Sequence, residues 1–187
     1  MYDTSQFRKS LKIEIDDVPW LMVDFQHVKP GKGSAIVRTR LKNMITGQVV
    51  DKTFRSGDKV GVPDLEEFEA TFLYHDGEMF HFMNQSSFEQ IALDEGAVGD
   101  AKNFLVEQLP VSLLMFRGRA IGIDLPNFIV ADITYCEPAV AGNTAQGATK
   151  GVEITTGYTV QVPLYITESD RLKIDTRTGE YVERVKE

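Results

Sequence analysis

The sequence has little cysteine and histidine and no long apolar run. Cys136 is the single cysteine among 187 residues, which excludes an internal disulfide and a multi-cysteine metal site. The three histidines are scattered, so we expect no metal centre and no cofactor. No apolar run approaches the ~20 residues that span a bilayer, and the first residues lack a basic stretch followed by an apolar one. We therefore expect a cytoplasmic protein without a membrane partner.

Motifs typical of enzymes are also missing. The sequence contains neither G-x-x-x-x-G-K-[ST] nor a G-x-G-x-x-G that follows a predicted strand. It offers no convincing order of serine, histidine and aspartate for nucleophilic catalysis. Residues 29–34 superficially resemble a phosphate-binding loop, but they lack its spacing and the helix that should follow. We expect no catalytic residue, and we expect that the chain alone is not an enzyme.

Charge is spread unevenly along the chain, whose net charge is -8. Residues 1–63 carry 11 Lys and Arg against 7 Asp and Glu, residues 64–128 carry 3 against 12, and residues 129–187 carry 6 against 9. Local charge decides docking on phosphate, so this pattern indicates a protein that presents one positive end to a particular site. Small domains also differ by several charges without functional cause, so charge alone leaves both interpretations open.

The most informative stretch lies between two predicted strands, an apolar run over residues 20–23 and an alternating run over residues 35–41. Proline fixes φ and glycine tolerates positive φ, so the chain is expected to reverse tightly with little bulk around Lys32. The pattern predicts a thin hairpin with Lys32 at its tip, although an ordinary solvated turn has the same composition. The other residues of this loop are Lys29, Pro30, Gly31, Gly33 and Ser34.

The remaining pattern predicts an all-β chain of three small β-barrels in tandem, joined by short linkers and therefore elongated. Proline-containing boundaries near residues 62–64 and 125–127 give domains 1–64, 65–127 and 128–187. In the middle domain, residues 87–93 predict a single helical turn and residues 98–105 a longer helix. Strands, one short helix and strands again within about 65 residues fit an OB-like barrel. In the third domain, residues 139–150 are predicted to be a loop between strands.

Two parts of the sequence are distinctive. The first is Lys29-Pro30-Gly31-Lys32-Gly33, and the second combines residues 156–164 with Lys173-Ile174-Asp175-Thr176-Arg177-Thr178-Gly179-Glu180-Tyr181-Val182. Both resemble the bacterial elongation factor P family, and the resemblance runs from Phe7 to Val185. The resemblance implies an SH3-like or KOW-like barrel followed by two OB-like barrels, in an L-shaped architecture similar to a tRNA. The sequence departs from the usual family pattern at Asn143, Gly151 and Ser169.

The resemblance further implies a non-enzymatic, monomeric translation elongation factor that stimulates the ribosomal peptidyl transferase. Such a factor binds the 70S ribosome between the peptidyl and exit tRNA sites and relieves stalling at consecutive prolines. Lys32 would contact the acceptor end of peptidyl-tRNA, supported by the flanking loop residues. Lysine-modifying enzymes would extend Lys32 with β-lysine or an aminopentanol group, whereas the rhamnose route requires an arginine.

Other residues have both a functional and an ordinary interpretation. Arg38, Arg40 and Lys42 alternate along one predicted strand and share a face, so they are candidate contacts to an RNA backbone or ordinary solvated charges. Arg177 and Tyr181 are similar candidates, with packing at a sheet edge as the alternative. We expect His27 to pack against Trp20 or the loop backbone, and Cys136 to be a small buried hydrophobic residue. The candidate contacts to RNA are therefore Arg38, Arg40, Lys42, Arg177 and Tyr181.

Two other families of binding proteins deserve comparison. A single-stranded nucleic-acid-binding OB-fold protein combines a basic groove with stacking aromatics, but the aromatic middle domain is strongly acidic. Initiation factor five A also has a lysine-bearing hairpin, but it has two barrels, whereas residues 129–187 supply a third. The nucleic-acid-binding alternative predicts tight, sequence-independent binding to free RNA.

Overall fold

Antiparallel strands make up most of the protein in the computed structural model, which describes residues 1–31, 33–138 and 148–185. The chain divides into two compact units, Met1–Glu67 with Leu114–Gly122, and Phe68–Leu113 with Ile123–Glu187. Lys32 and residues 139–147, which include Asn143, lie outside the described residues. No helix in the described ranges is long and apolar enough to cross a membrane.

The first sixty residues form a four-stranded antiparallel sheet and a separate pair of short strands. The elements are β1 (Tyr2–Asp3), a 3₁₀-helix (Thr4–Gln6), β2 (Lys12–Ile15), β3 (Val18–Val28), β4 (Ile36–Asn43), β5 (Val49–Arg55) and β6 (Lys59–Val60). Strands β2, β3, β4 and β5 pair in that order, and β1 pairs with β6. The short strands predicted for this region are confirmed, and β3 and β4 form the hairpin whose loop contains residues 29–35.

Alternation along β4 separates the core of this sheet from its charged face. Val37, Thr39 and Leu41 are buried, whereas the three cationic residues between and after them are exposed. This is the expected result of a two-residue period, in which successive side chains point to opposite faces. The buried residues join a hydrophobic core that consists of Phe7, Leu11, Ile13, Met22, Val37, Leu41, Phe54 and Val60.

The middle of the chain forms a second sheet with a short helical segment. Its elements are β7 (Leu65–His75), β8 (Met79–Asn84), β9 (Gln90–Asp94), α1 (Glu95–Val98), a 3₁₀-helix (Gly99–Phe104), β10 (Pro110–Phe116) and β11 (Arg119–Asp124). The strand order is β11-β10-β7-β8-β9. The turn of the β10–β11 hairpin belongs to the first compact unit. There Arg117 Nη2 donates to Glu14 Oε1 and Asp17 Oδ1, each at 2.9 Å.

The helical turn predicted over residues 87–93 is wrong, because residues 90–94 form strand β9. The backbone of Phe88 has a φ of 60°, which interrupts a right-handed helix at the second residue of the predicted turn. Gln90, Ile91 and Leu93 instead pair with Met83, Phe82 and Phe80 of β8. Leu93 is buried while Gln90 is exposed. Residues 90–94 therefore form a strand because burial of one face outweighs the local resemblance to a capped helix.

The longer helix predicted over residues 98–105 is only partly correct. The segment is helical, but a single α-helical turn, α1, precedes a 3₁₀-helix that ends at Phe104. Gly99 follows α1 with φ 58° and ψ -140°, a conformation outside the α-helical region that stops the regular helix. Asp94 caps α1 by accepting a hydrogen bond from the Ala97 N–H at 2.8 Å. The predicted segment is therefore almost entirely 3₁₀-helix, and the α-helical turn that precedes it was not predicted.

The C-terminal part of the chain forms a third sheet. Its strands are β12 (Phe128–Cys136), β13 (Thr149–Ile154), β14 (Thr159–Pro163), β15 (Arg171–Asp175) and β16 (Glu180–Val185), paired in the order β14-β13-β12-β15-β16. Strand β13 was not predicted, because its first two residues were assigned to the preceding loop and Gly151 weakens the strand pattern. Val152 and Ile154 are fully buried in it. Cys136 is only partly buried, so its predicted burial is wrong in degree.

The described strands confirm an all-β fold, with one sheet of four or five strands in each of three successive parts of the chain and the separate β1–β6 pair in the first part. The domain boundaries at residues 64 and 127 remain predictions, since the compact units group the segments differently, with Leu114–Gly122 beside Met1–Glu67.

Candidate functional site

The loop between β3 and β4 is exposed on both sides of its tip. The two strands pair as far as Val28 and Ile36, so the hairpin extends to the last residue before the loop. Lys29, Pro30 and Gly31 are exposed. On the other side of the tip, the exposed residues are Gly33 and Ser34. Lys32, the predicted tip residue, lies outside the described residues.

The backbone of the loop is shaped by its glycine and by its attachment to the sheet. Gly33 has a φ of 117°, where a residue with a side chain would be strained. A Cβ at Gly33 would lie 3.9 Å from Pro30 Cγ, so space alone does not require the glycine. At the base of the loop, Ala35 O accepts a hydrogen bond from Ser56 N–H at 2.9 Å. Backbone conformation rather than space therefore requires the glycine, and the hydrogen bond to Ser56 anchors the base of the loop.

His27 lies next to this base, and its predicted contact with Trp20 is wrong. Its ring packs edge-on against Phe25, with ring centroids 5.7 Å apart and an interplanar angle of 89°. The side chain is exposed. Residues 25 and 27 lie on the same face because they are two apart on strand β3. The bulge puts Trp20 on that face as well, since Trp20 pairs with Asn43 and His27 with Val37, but Trp20 is seven residues away along the strand, roughly 20 Å, which is too far for contact. The bulge between Met22 and Asp24 could not be read from the sequence.

A cationic stripe, defined as Arg38, Arg40 and Lys42, occupies the exposed face of β4. Arg40 lies between two carboxylates, because it is opposite Asp24 on β3 and Asp51 on β5. Arg40 Nε donates to Asp51 Oδ1 at 3.0 Å, and this hydrogen bond raises the pKa of Arg40. The middle of the stripe is therefore neutralised in place, which leaves its two ends as the stronger candidates for RNA contact.

Arg55 extends the same charged face and was missed in the sequence. It pairs with Ile36 on β4, next to the buried pair Val37 and Phe54, so its side chain lies on the outer face of the sheet. Its position is exposed and immediately precedes Ser56, which fastens the loop. Arg55 could have been predicted only from the register of β5 against β4, and that register is set by strand pairing in the tertiary structure.

In the second unit, the candidates Arg177 and Tyr181 are both engaged within the protein. Arg177 Nη2 and Nε donate to Asp175 Oδ2 and Oδ1 at 2.6 and 3.0 Å, and its guanidinium lies 5.6 Å from the centroid of the Phe128 ring. Tyr181 is half-buried, with its hydroxyl 3.5 Å from the hydroxyl of Tyr165. Burial, together with this hydroxyl contact, raises the pKa of Tyr181 to about 12. Packing within the sheet explains both positions at least as well as RNA contact.

The described residues contain no group of three His, Cys, Asp or Glu side chains arranged to hold a metal ion.

Two of the departures from the family pattern lie within the described residues. At Gly151, the backbone N–H donates to Glu137 Oε2 at 3.0 Å. A Cβ there would meet this carboxylate at about 2.9 Å, so the glycine and Glu137 fit together. At the departure at Ser169, the hydroxyl lies 2.9 Å from Thr167 Oγ1 in a surface turn. Both departures are accommodated by local hydrogen bonds.

Comparison with known proteins covers nearly the whole chain. Residues 3–60 match the family model of the elongation factor P KOW-like domain, residues 65–123 that of the elongation factor P OB domain, and residues 129–184 that of the elongation factor P C-terminal region. Elongation factor P of Bdellovibrio bacteriovorus is 49% identical over 99% of this chain and 98% of its own length. Elongation factor P of Desulforapulum autotrophicum is 50% identical over the full length of both.

Among solved structures, eukaryotic translation initiation factor 5A from Methanococcus jannaschii has a similar fold. The TM-score is 0.54 at 24% sequence identity, over 66% of this chain and 93% of that one. Together with the strands described above, these matches define a translation factor built from KOW-like and OB β-barrels. The chain belongs to the elongation factor P family.

Proposed function

We propose that this translation factor binds the 70S ribosome between the peptidyl and exit tRNA sites and relieves stalling at consecutive prolines. It acts in the cytoplasm as a monomer, without performing chemistry of its own. The observation that carries the proposal is the exposed loop at the end of the β3–β4 hairpin, within residues matched to the elongation factor P KOW-like domain. Its six predicted site residues, 29–34, include two lysines, Lys29 and Lys32.

The proposed mechanism is orientation of the ribosome's own reactants. Proline is a hindered nucleophile with a restricted φ, so consecutive prolines leave peptidyl-tRNA in an unproductive pose. Restricting that pose supplies part of the ~7–11 kcal/mol that ideal alignment of reactants can contribute. Lys32, extended by a lysine-modifying enzyme, would lie along the phosphates and sugars of the acceptor end. Lys29 would add charge nearby, while Pro30 would reduce the entropy lost when the loop is ordered.

Replacing Lys32 with alanine tests this proposal. We expect the Lys32→Ala protein to keep its thermal unfolding temperature and to lose relief of polyproline pausing in a reconstituted translation assay. Lys59→Ala, in strand β6 of the same unit, is the matched control and should retain activity, because it removes a lysine outside the loop. Full activity of Lys32→Ala would refute the proposed role.

The type of modification is tested by the intact mass of protein purified from its own host. Additions at Lys32 differ in mass between the β-lysyl and aminopentanol routes.

Filter binding with free RNA distinguishes the proposed function from the alternative one. Tight, sequence-independent binding is expected of a single-stranded nucleic-acid-binding protein and not of this factor. The stretch from residue 60 to residue 101 contains ten Asp and Glu and no Lys or Arg, which opposes such binding.

A further inference from the structure

The loop between β8 and β9 exposes an aromatic ring in an unfavourable backbone conformation. Phe88 is 73% exposed, and its φ of 60° lies in the left-handed region that bulky residues rarely adopt. Glycine would adopt this conformation without strain and would not expose an apolar ring to water. Two local preferences are therefore violated at one residue, which is typical of positions that serve function rather than folding.

Hydrogen bonds hold this loop in one conformation. Asn84 Oδ1 accepts from the N–H groups of Ser86 and Ser87 at 2.8 and 3.0 Å. The Phe88 N–H donates to Asn84 O at 2.9 Å, and the Gln85 N–H donates to Glu69 O on β7 at 3.0 Å. The ring is thus presented on an ordered loop, so little conformational entropy would be lost when a partner binds it.

The charge around the loop indicates the kind of partner. Strands β7, β8 and β9 lie within the stretch from residue 60 to residue 101, which contains ten acidic residues and no Lys or Arg. Two of these acidic residues, Glu69 and Glu89, are exposed beside the loop. A nucleic-acid backbone would be repelled by this surface, whereas a protein surface rich in Lys and Arg would be attracted.

We propose that Phe88 is a docking residue that inserts into an apolar recess surrounded by basic residues on a partner protein. The proposal rests on the proposed function, which brings the chain to the ribosome, and the partner is then a basic ribosomal protein. A central aromatic side chain in an apolar recess, with complementary charges around it, is a common arrangement of the residues that dominate binding.

Substitutions at residue 88 separate docking from folding. Glycine adopts the left-handed conformation easily, so Phe88→Gly should unfold at the same temperature as the parent or higher. The concentration needed for half-maximal relief of polyproline pausing should rise about tenfold in Phe88→Gly, whereas Phe88→Tyr should stay near the parent value. A lower unfolding temperature for Phe88→Gly would show a packing role, and unchanged activity would show no docking role. Either result overturns the proposal.

Photocrosslinking identifies the partner. The full chain with p-benzoylphenylalanine in place of Phe88 is irradiated with 70S ribosomes, and a second protein carries the probe in place of Glu78, at the other end of β8. We expect a crosslink from position 88, and not from position 78, to a Lys- and Arg-rich segment of one ribosomal protein. A crosslink to ribosomal RNA, or no crosslink from a chain that binds ribosomes, overturns the proposal. Parent protein that fails to sediment with ribosomes would instead refute the proposed function, and with it the ribosomal partner.

Discussion

At the scale of single residues, two glycines share a left-handed backbone but differ in their surroundings. Gly157 has a φ of 85° and open space where a Cβ would be. Gly179 has a φ of 75°, and a Cβ there would overlap the hydroxyl of Tyr158. The ring of Tyr158 is held edge-on against Phe104 with centroids 5.1 Å apart, so it has little freedom to move aside. Conformation and packing therefore both require glycine at residue 179, but only conformation requires it at residue 157.

Alanine at these two positions should destabilise the protein by different amounts. We expect Gly157→Ala to cost about 1 kcal/mol of unfolding free energy, the usual cost of a left-handed backbone at a residue with a side chain. Gly179→Ala should cost roughly a further 1–3 kcal/mol because of overpacking. Urea unfolding measures both. Adding Tyr158→Phe should recover part of the stability of Gly179→Ala, and equal stability of the two alanine variants would contradict the packing argument.

Asp175 makes the stability of the third sheet depend on pH. The side chain and the backbone N–H of Arg177 donate to this carboxylate, and these hydrogen bonds lower its pKa to about 2 from an ordinary 3.8. A lowered pKa stabilises the folded state above the unfolded value, and this stabilisation disappears as the pH falls through the folded value. The contribution is therefore complete above about pH 4 and absent towards pH 2.

Asp175→Asn should reveal this dependence. We expect the variant to be less stable than the parent at pH 7, and the difference to close between pH 4 and pH 2, in urea unfolding at a series of pH values. Glu168→Gln, at an exposed position outside the strands, is the control and should show no such convergence. A stability difference that does not change with pH would mean that Asp175 acts through packing rather than charge.

At the scale of elements, strand β4 shows how neighbouring strands change the meaning of a sequence pattern. Its period of two predicted a charged face and a buried face, and both are observed. The pattern could not show that Arg40 lies between Asp24 and Asp51, because those residues are 16 and 11 positions away in the chain and only the register of β3 and β5 brings them together.

The cationic stripe should therefore contribute unequally to ribosome binding. Arg38→Gln and Lys42→Gln should each weaken binding and lower the steepness of its salt dependence, by about 0.7–0.9 for each phosphate that is no longer neutralised. Arg40→Gln should have a smaller effect, since its charge is already neutralised by Asp51. Sedimentation with 70S ribosomes at several salt concentrations measures these slopes. Equal effects of the three substitutions would show that Asp51 does not screen Arg40 on the ribosome.

At the scale of the whole molecule, the distribution of charge along the chain could be read from the sequence. The basic residues concentrate in the segment that carries the loop, and the acidic residues in the segment that follows. The structure adds that the described chain forms two compact units, and that the β10–β11 turn belongs to the unit containing the loop. Arg117 in this turn contacts Glu14 and Asp17, residues about a hundred positions earlier.

The elongated arrangement of three barrels stays a prediction from the sequence. A compact domain of 187 residues would have a radius of gyration of about 16 Å. We expect small-angle X-ray scattering of the monomer to give a clearly larger radius, because short linkers in a row of barrels keep the chain extended. As a control, light scattering of the same sample should give the monomer mass of 21.0 kDa. A monomer with a radius near 16 Å would contradict the predicted arrangement.

The sequence by itself determined the all-β class, most of the strands and the position of the loop, since alternating hydrophobicity and the rigidity of proline act over a few residues. Tertiary structure decided what depends on distant partners. It made residues 90–94 a strand rather than a helix, added β13 through burial of Val152 and Ile154, and placed Asp51 beside Arg40. The physical reason is that strand pairing and charge neutralisation are interactions between segments, and a single segment does not specify its neighbour.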